Sequence, residues 1–200
     1  MNRLFRINNK DIYEINTTIL YYSSFNFNKD AIELLNNNCE VIAKNVSSNL
    51  EDISENTLKY FGCIDLLEKK NLTKIDEIKI NILNNITTDK KIVVFLDILT
   101  YLEQEFKNKV IEYLKNKNKI IINYTSEIEE TLLLEYLIVL SDNKIAMEGL
   151  TNDILKEEKI LKKLGYGLPF ITELSNGLKY YNLIDQDFYT NESLVGELWK

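Results

Sequence analysis

Between Lys91 and Glu148 the chain alternates short, largely apolar runs with amphipathic stretches, and this alternation restricts the possible fold more than any other feature. The apolar runs are Ile92 to Leu96, Lys119 to Tyr124 and Leu137 to Leu140, with helical spacing between them at Glu103 to Asn116 and Ile128 to Leu134. A strand that is apolar on both sides is buried on both faces, which is the signature of a parallel sheet covered by helices. Ser141, Asp142 and Asn143 then predict a tight turn into a strand Lys144 to Glu148, with Gly149 ending the sheet.

The rest of the chain fits around that unit. Strands are predicted at Leu4 to Ile7 and Ile19 to Tyr22, and helices near Lys29 to Asn36, Ser54 to Lys69 and Lys74 to Ile86, where apolar residues return at three and four positions. Three more helices are predicted beyond the sheet, at Thr151 to Leu164, Phe170 to Tyr181 and Thr190 to Trp199. Pro169 is the single proline and there are six glycines, so the sequence carries no flexible linker. The expected division is a sheet core over residues 1–150, holding a helical subdomain at about 29–88, and a helical extension over 151–200.

Several classes of function are excluded by residue types. Histidine is absent, which removes His-based acid catalysis and nucleophile pairs that need it. Cys39 and Cys63 are the only cysteines, too few for a structural zinc site, and are expected as reduced, packed thiols. A net charge of -7 argues against nucleic acid, whose phosphates are neutralised by clustered Lys and Arg. The apolar runs fall far short of the ~20 residues of a spanning helix, and the first residues lack the apolar core of a secretory signal. A cytoplasmic protein, peripheral at most on the membrane's inner face, is expected.

The run KKIVVFLDIL, Lys90 to Leu99, delivers a single carboxylate, Asp97, at the end of an apolar strand. Many phosphate-handling α/β proteins hold a metal in this way. The next residue is Ile98, where a nucleotide hydrolase of this type carries a second carboxylate, and the chain contains no glycine-lysine pair. It reads as the fold of a nucleotide hydrolase without the hydrolytic parts.

From Lys59 onward, through FGCIDLLEKKNLTKIDEIKINILNNITTDKKIVVFLDILT, the order of pieces resembles the ATP-binding-cassette ATPases, especially those of energy-coupling-factor uptake transporters. That segment is similar to the family's G-L helix, its L-S-G-G-Q signature and its Walker B strand. NYTSEIEETLLLEYLIVLSDNKIAMEG is similar to the switch segment I-T-H-D-M-E-E-A with its hairpin. LGYGLPFITELSNGLKYY and YTNESLVGEL resemble the V-P-x-V-T-E-L and T-x-E-E-L-V elements of transporter ATPases for vitamins and metal ions. LFRINNKDIYEIN resembles the strand pair that follows the phosphate-binding helix, which implies that Met1 follows the phosphate loop. The fold so implied is a truncated cassette core of P-loop type, lacking the Walker A region.

The resemblance also implies what has changed. In the signature-like segment Leu72, Thr73, Lys74, Ile75 and Asp76, a hydroxyl is kept, but Lys74 and Ile75 stand for the two glycines that approach a partner's γ-phosphate. Asp97 is the Walker B carboxylate, Ile98 replaces the water-polarising glutamate, and Ser126 falls at the switch histidine. Ser24 takes the position of the glutamine-loop residue, and Glu103 or Gln104 that of the D-loop aspartate. ATP and Mg²⁺ are therefore expected to bind only weakly, and no cofactor is assigned.

Plainer roles compete with each of these. Asp97 suits a strand-end cap, and Thr73 the start of the helix Lys74 to Ile86. Ser126 with Glu129 has the spacing of a capping box, while Glu129 and Glu130 are expected to be solvated. Gly165-Tyr166-Gly167 is expected in a loop between helices.

Three functions follow. The first is a degenerate cassette subunit, non-catalytic or regulatory, paired with a second ATPase and a membrane component. The second is a working ATPase whose phosphate loop lies upstream or on another chain, and the third a soluble interaction module that keeps the fold. The transported substrate is not encoded, because in the resembled family another subunit selects it.

Overall fold

The computed structural model describes residues 15–21, 39–44, 49–142 and 144–199, together with the backbone of two strands, β1 (Arg3–Ile7) and β2 (Lys10–Tyr13), which form an antiparallel pair. Ser24 and the helix expected at Lys29 to Asn36 lie outside the described residues.

The main sheet contains β3 (Thr17–Leu20), β4 (Cys39–Ala43), β5 (Ile92–Leu96), β6 (Ile120–Thr125), β7 (Tyr136–Ser141) and β8 (Lys144–Leu150). Its spatial order is β4-β5-β6-β3-β7-β8, parallel throughout except for the β7–β8 hairpin. β5, apolar throughout, and β6, apolar but for Asn123 and Thr125, are buried on both faces. Period-two alternation splits them: Val93, Phe95 and Ile121 face one core, and Ile92, Val94, Ile120, Ile122 and Tyr124 face another.

The first core is filled by helices. α1 (Glu55–Phe61), α2 (Lys74–Asn85) and α3 (Gln104–Asn116) contribute Leu58, Phe61, Ile80, Leu83, Phe106, Val110 and Leu114 at helical spacing. α2 is also tied to the sheet edge, since buried Asn81 donates from Nδ2 to the Ala43 carbonyl at 2.8 Å. α4 (Thr151–Lys156), α5 (Glu158–Lys163), α6 (Phe170–Tyr180) and α7 (Asn191–Leu198) follow the sheet. Ile154, Leu155, Leu161, Tyr166 and Leu168 form one buried cluster with Leu20, Leu137 and Val139, so the carboxyl-terminal residues help to cover the central strands.

The differences from the sequence reading have local causes. The helix expected over Ser54 to Lys69 breaks at Gly62, whose φ of 72° makes a left-handed cap, and resumes as a 3-10 turn at Ile64–Leu67. Residues 128–134 form a 3-10 turn, Ile128–Leu133, rather than an α-helix. The helix expected over Thr151 to Leu164 is split at Glu157 into α4 and α5. β8 runs one residue past Gly149. β4 was not foreseen: CEVIA fell inside the expected helical subdomain, yet it is the parallel edge strand beside β5. Among the described residues no helix is long and apolar enough to cross a membrane.

Candidate functional site

In an open parallel sheet, ligands settle outside the carboxyl ends of the strands where the strand order reverses. Here the chain leaves β3 for the far edge at β4, returns through β5 and β6, and passes over β3 to reach β7. The reversal is at β3. Its carboxyl end, with those of β5 and β6, is the candidate site.

Tyr21 follows β3 directly and donates its backbone N–H to the Thr125 carbonyl at 3.0 Å. Its ring stacks on Tyr124 of β6, with centroids 4.5 Å apart and planes at 23°. Both tyrosines are buried, at 8% and 2% exposure, so a pair of aromatic rings occupies one side of the strand ends. Burial pushes the Tyr124 phenol upward, and the charge of Asp97 pushes in the same direction.

Asp97 stands where β5 ends, with φ at 47°, a left-handed conformation that aspartate tolerates better than most residues. The turn carries its carboxylate onto β6: the Asp97 N–H donates to the Tyr124 carbonyl at 2.9 Å, and Oδ1 accepts from the Ser126 N–H at 3.1 Å. The expectation of a strand-end cap is met. Burial raises the Asp97 pKa, the Ser126 N–H works against that rise, and Glu127 adds to it. Ile98 points the other way and is fully buried in the helix-covered core.

Ser126 does not make the predicted capping box. The 3-10 turn starts from Glu127, which has no side-chain cap, and Thr125 Oγ1 accepts the Glu127 N–H at 3.1 Å. The carboxylate meant for that box faces elsewhere, with Glu129 Oε1 accepting the Phe170 N–H at the start of α6 at 2.7 Å. Glu130 is not solvated. It is 2% exposed and its Oε1 meets Lys107 Nζ of α3 at 2.7 Å. A 3-10 turn has three residues per revolution, which turns Glu130 inward where an α-helix would have placed it differently.

The signature-like residues form a second cluster at the start of α2. Thr73 is the N-cap: its Oγ1 accepts the Asp76 N–H at 3.2 Å, and Asp76 Oδ2 accepts the Thr73 N–H at 2.9 Å. Asp76 is almost fully buried, and Lys69 Nζ closes on its Oδ1 at 2.8 Å while also meeting Asp65 at 2.9 Å. Lys69 and the Thr73 amide hold the Asp76 carboxyl down at about 2. Leu72, Lys74 and Ile75 are exposed around this box.

Of the D-loop candidates, Glu103 precedes α3 and pairs with Lys79 at 3.0 Å, and Gln104 bonds Asn108 at 2.9 Å. Gly165 to Gly167 lies between α5 and α6, as predicted, and Tyr166 donates its hydroxyl to the Leu140 carbonyl at 2.9 Å. Among the described residues no group of three or more metal-ligating side chains is gathered. Sequence reasoning missed the Tyr21–Tyr124 stack, because pairing across strands is invisible until their order is known. It also missed Lys44, just beyond β4, whose Nζ bonds the Tyr101 hydroxyl and lies over that ring.

No family model matches the chain. Among curated proteins, the energy-coupling factor transporter ATP-binding protein EcfA1 of Mycoplasmopsis synoviae is 26% identical over 168 residues, covering 78% of this chain and 60% of that protein. EcfA of Malacoplasma penetrans is 27% identical over 157 residues, covering 76% and 55%. The chain is a relative of the ATP-binding-cassette ATPases. EcfA1 of Caldanaerobacter subterraneus is 32% identical over 94 residues, covering 44% of this chain and 34% of that protein. This cassette relative spans about half the length of the curated proteins it matches.

Solved structures show the same fold. A bacterial Atm1-family ABC exporter with ATP bound superimposes with a TM-score of 0.59 at 10% identity, covering 82% of this chain and 40% of that one. CbiO1 of Clostridium perfringens, part of the ABC transporter complex cbiONQ, gives 0.57 at 15% identity, covering 85% and 92%. At such identities the likeness concerns the fold alone.

Proposed function

We propose that this chain is a degenerate cassette subunit of an energy-coupling uptake transporter, a non-catalytic or regulatory partner on the cytoplasmic face of the membrane. It pairs with a second cassette ATPase and docks on a membrane component. The observation that carries this reading is the buried Tyr21–Tyr124 stack at the strand ends, beside a carboxylate already turned onto the Ser126 amide. Mg²⁺ at such sites leans on one or two carboxylates and on nucleotide phosphates, so these residues do not fit a magnesium–triphosphate group. With Ile98 buried in the core, the place of a water-polarising carboxylate is spent on packing.

The strand order favours a different position for the phosphate loop from the one expected ahead of Met1. The loop motif is strand, loop, helix, and the strand at the reversal is β3. The residues that follow β3 in sequence, Ser23 to Asp30, read SSFNFNKD. Set on G-x-x-x-x-G-K-[ST], they keep Lys29 and put Ser23 and Asn28 for the glycines and Asp30 for the hydroxyl. Ser24 then belongs to this degenerate loop and not to the glutamine position. Loss of both glycines removes the close main-chain approach on which phosphate cradling depends.

Titration of the purified chain with ATP and Mg²⁺ by calorimetry tests the reading. Binding weaker than ~1 mM, about 4 kcal/mol or less, is expected, unchanged by Lys29→Ala. Micromolar binding that Lys29→Ala abolishes overturns it. Co-purification with a second ATPase and a membrane protein is the expected cellular result, and recovery of a lone monomer opposes the partner role.

A further inference from the structure

Four buried side-chain polar atoms on the helix-covered face find no hydrogen-bond partner within the protein: Thr18 Oγ1, Asn123 Oδ1, Asn123 Nδ2 and Glu130 Oε2. They converge. Thr18 of β3 and Asn123 of β6 are register partners on adjacent parallel strands. The 3-10 turn lies against both β3 and β6: Ile128 and Leu132 join the buried cluster that contains Leu20, two residues from Thr18, and Leu133 and Leu134 join the one that contains Ile121, two residues from Asn123. Side chains two apart in a strand share a face, so Thr18 and Asn123 both project beneath residues 128–133. From above, Glu130 projects inward from the same turn, with only Oε1 taken by Lys107.

Hydrocarbon cannot satisfy this set. An amide with both of its functions unmet and half of a carboxylate lose their full hydration when enclosed dry, and native interiors pair almost all such groups. The donors and acceptors are complementary to water, which bonds two to four polar partners in an interior site. We propose that ordered water seats the 128–133 turn on the sheet. Water donates to Glu130 Oε2 and Asn123 Oδ1, and accepts from Asn123 Nδ2 and the Thr18 hydroxyl.

The position gives this layer its consequence. The turn begins two residues after Ser126, whose N–H holds Asp97, and its Glu129 holds the start of α6. The hydrated layer thus lies between the sheet and the turn that joins the strand ends to the carboxyl-terminal helices. It stands independently of whether the chain binds nucleotide.

Water–protein cross-relaxation by NMR on the full chain, with a crystal structure that resolves ordered solvent, tests this. A water oxygen within about 2.7–3.2 Å of both the Asn123 side chain and Glu130 Oε2 is expected. Cross-peaks from the Asn123 side-chain NH₂ to long-lived water are expected too, and are lost in Asn123→Leu. Thr18→Val, which keeps the side-chain volume, is expected to shift those NH₂ resonances while preserving the cross-peaks, so the test survives if Asn123→Leu fails to fold. A dry site in which Asn123 Nδ2 bonds Glu130 Oε2 directly overturns the proposal, as do unshifted resonances in Thr18→Val.

Discussion

Removing one member of the Lys107–Glu130 pair is expected to cost far more than removing both. The charges sit 2.7 Å apart, with side chains 10% and 2% exposed, between α3 and the 3-10 turn. At an effective dielectric constant of about 20, opposite charges at that distance attract by roughly 6 kcal/mol. Desolvating the two ions costs several kcal/mol each, so the pair contributes little net stability. Lys107→Met leaves the Glu130 carboxylate enclosed without its cation, and a loss of about 3–5 kcal/mol is expected. For a chain of this size that lowers Tm by roughly 6–20 °C. The double variant Lys107→Met, Glu130→Leu fills the space with hydrocarbon and is expected within about 1 kcal/mol of the native chain, aside from any water it displaces. Urea unfolding of the four proteins forms a double-mutant cycle. If the single variants each lose under about 1 kcal/mol, or if the double variant loses the sum of the two, the pair is not the enclosed ion pair described here.

Three further outcomes are expected. Asp76→Asn is expected to lose about 1–2 kcal/mol through its cap and its Lys69 contact. Because the folded pKa of Asp76 is depressed to about 2, its contribution is complete above the unfolded value near 3.8 and is lost as pH falls toward 2. The native urea midpoint should therefore fall between pH 4 and 2, and the Asn variant should show less of that fall. Ile98→Glu is expected to destabilise the fold by about 3–5 kcal/mol without ATPase activity, since it places an unpaired charge in the helix-covered core; thermal melting and a phosphate-release assay check both parts. Burial pushes the Cys39 thiol up to about 11 and raises Cys63 as well, so both are less ionised at pH 8 than a solvent-exposed cysteine. Slow modification by a disulfide reagent in the native state and fast modification in urea is the expected pattern.

Residues 91–148 were legible because local composition and tertiary burial agree there. Ile92 to Leu96 forms β5 with the bounds read from the sequence, and Glu103 to Asn116 loses only its first residue, which becomes the cap of α3. Agreement failed where short range and long range compete. Residues 128–133 carry helical spacing, but Glu129 is drawn to Phe170 and Glu130 to Lys107, and the segment settles as a 3-10 turn. CEVIA is too short and too mixed to declare itself a strand. It becomes one because β5 offers it a parallel edge and Asn81 of α2 ties down its end.

Residue order alone was enough to establish a buried parallel sheet, the absence of histidine chemistry, a lone strand-end carboxylate at Asp97 and the Thr73 cap, since each depends on side-chain type and on neighbours within a few positions. The place of β3 at the reversal of the sheet, the Tyr21–Tyr124 stack across strands about a hundred residues apart, and the enclosed Lys107–Glu130 pair emerged only from the folded chain. These features depend on which distant segments become neighbours, and that is decided by the joint burial of many weakly informative residues rather than by any local pattern.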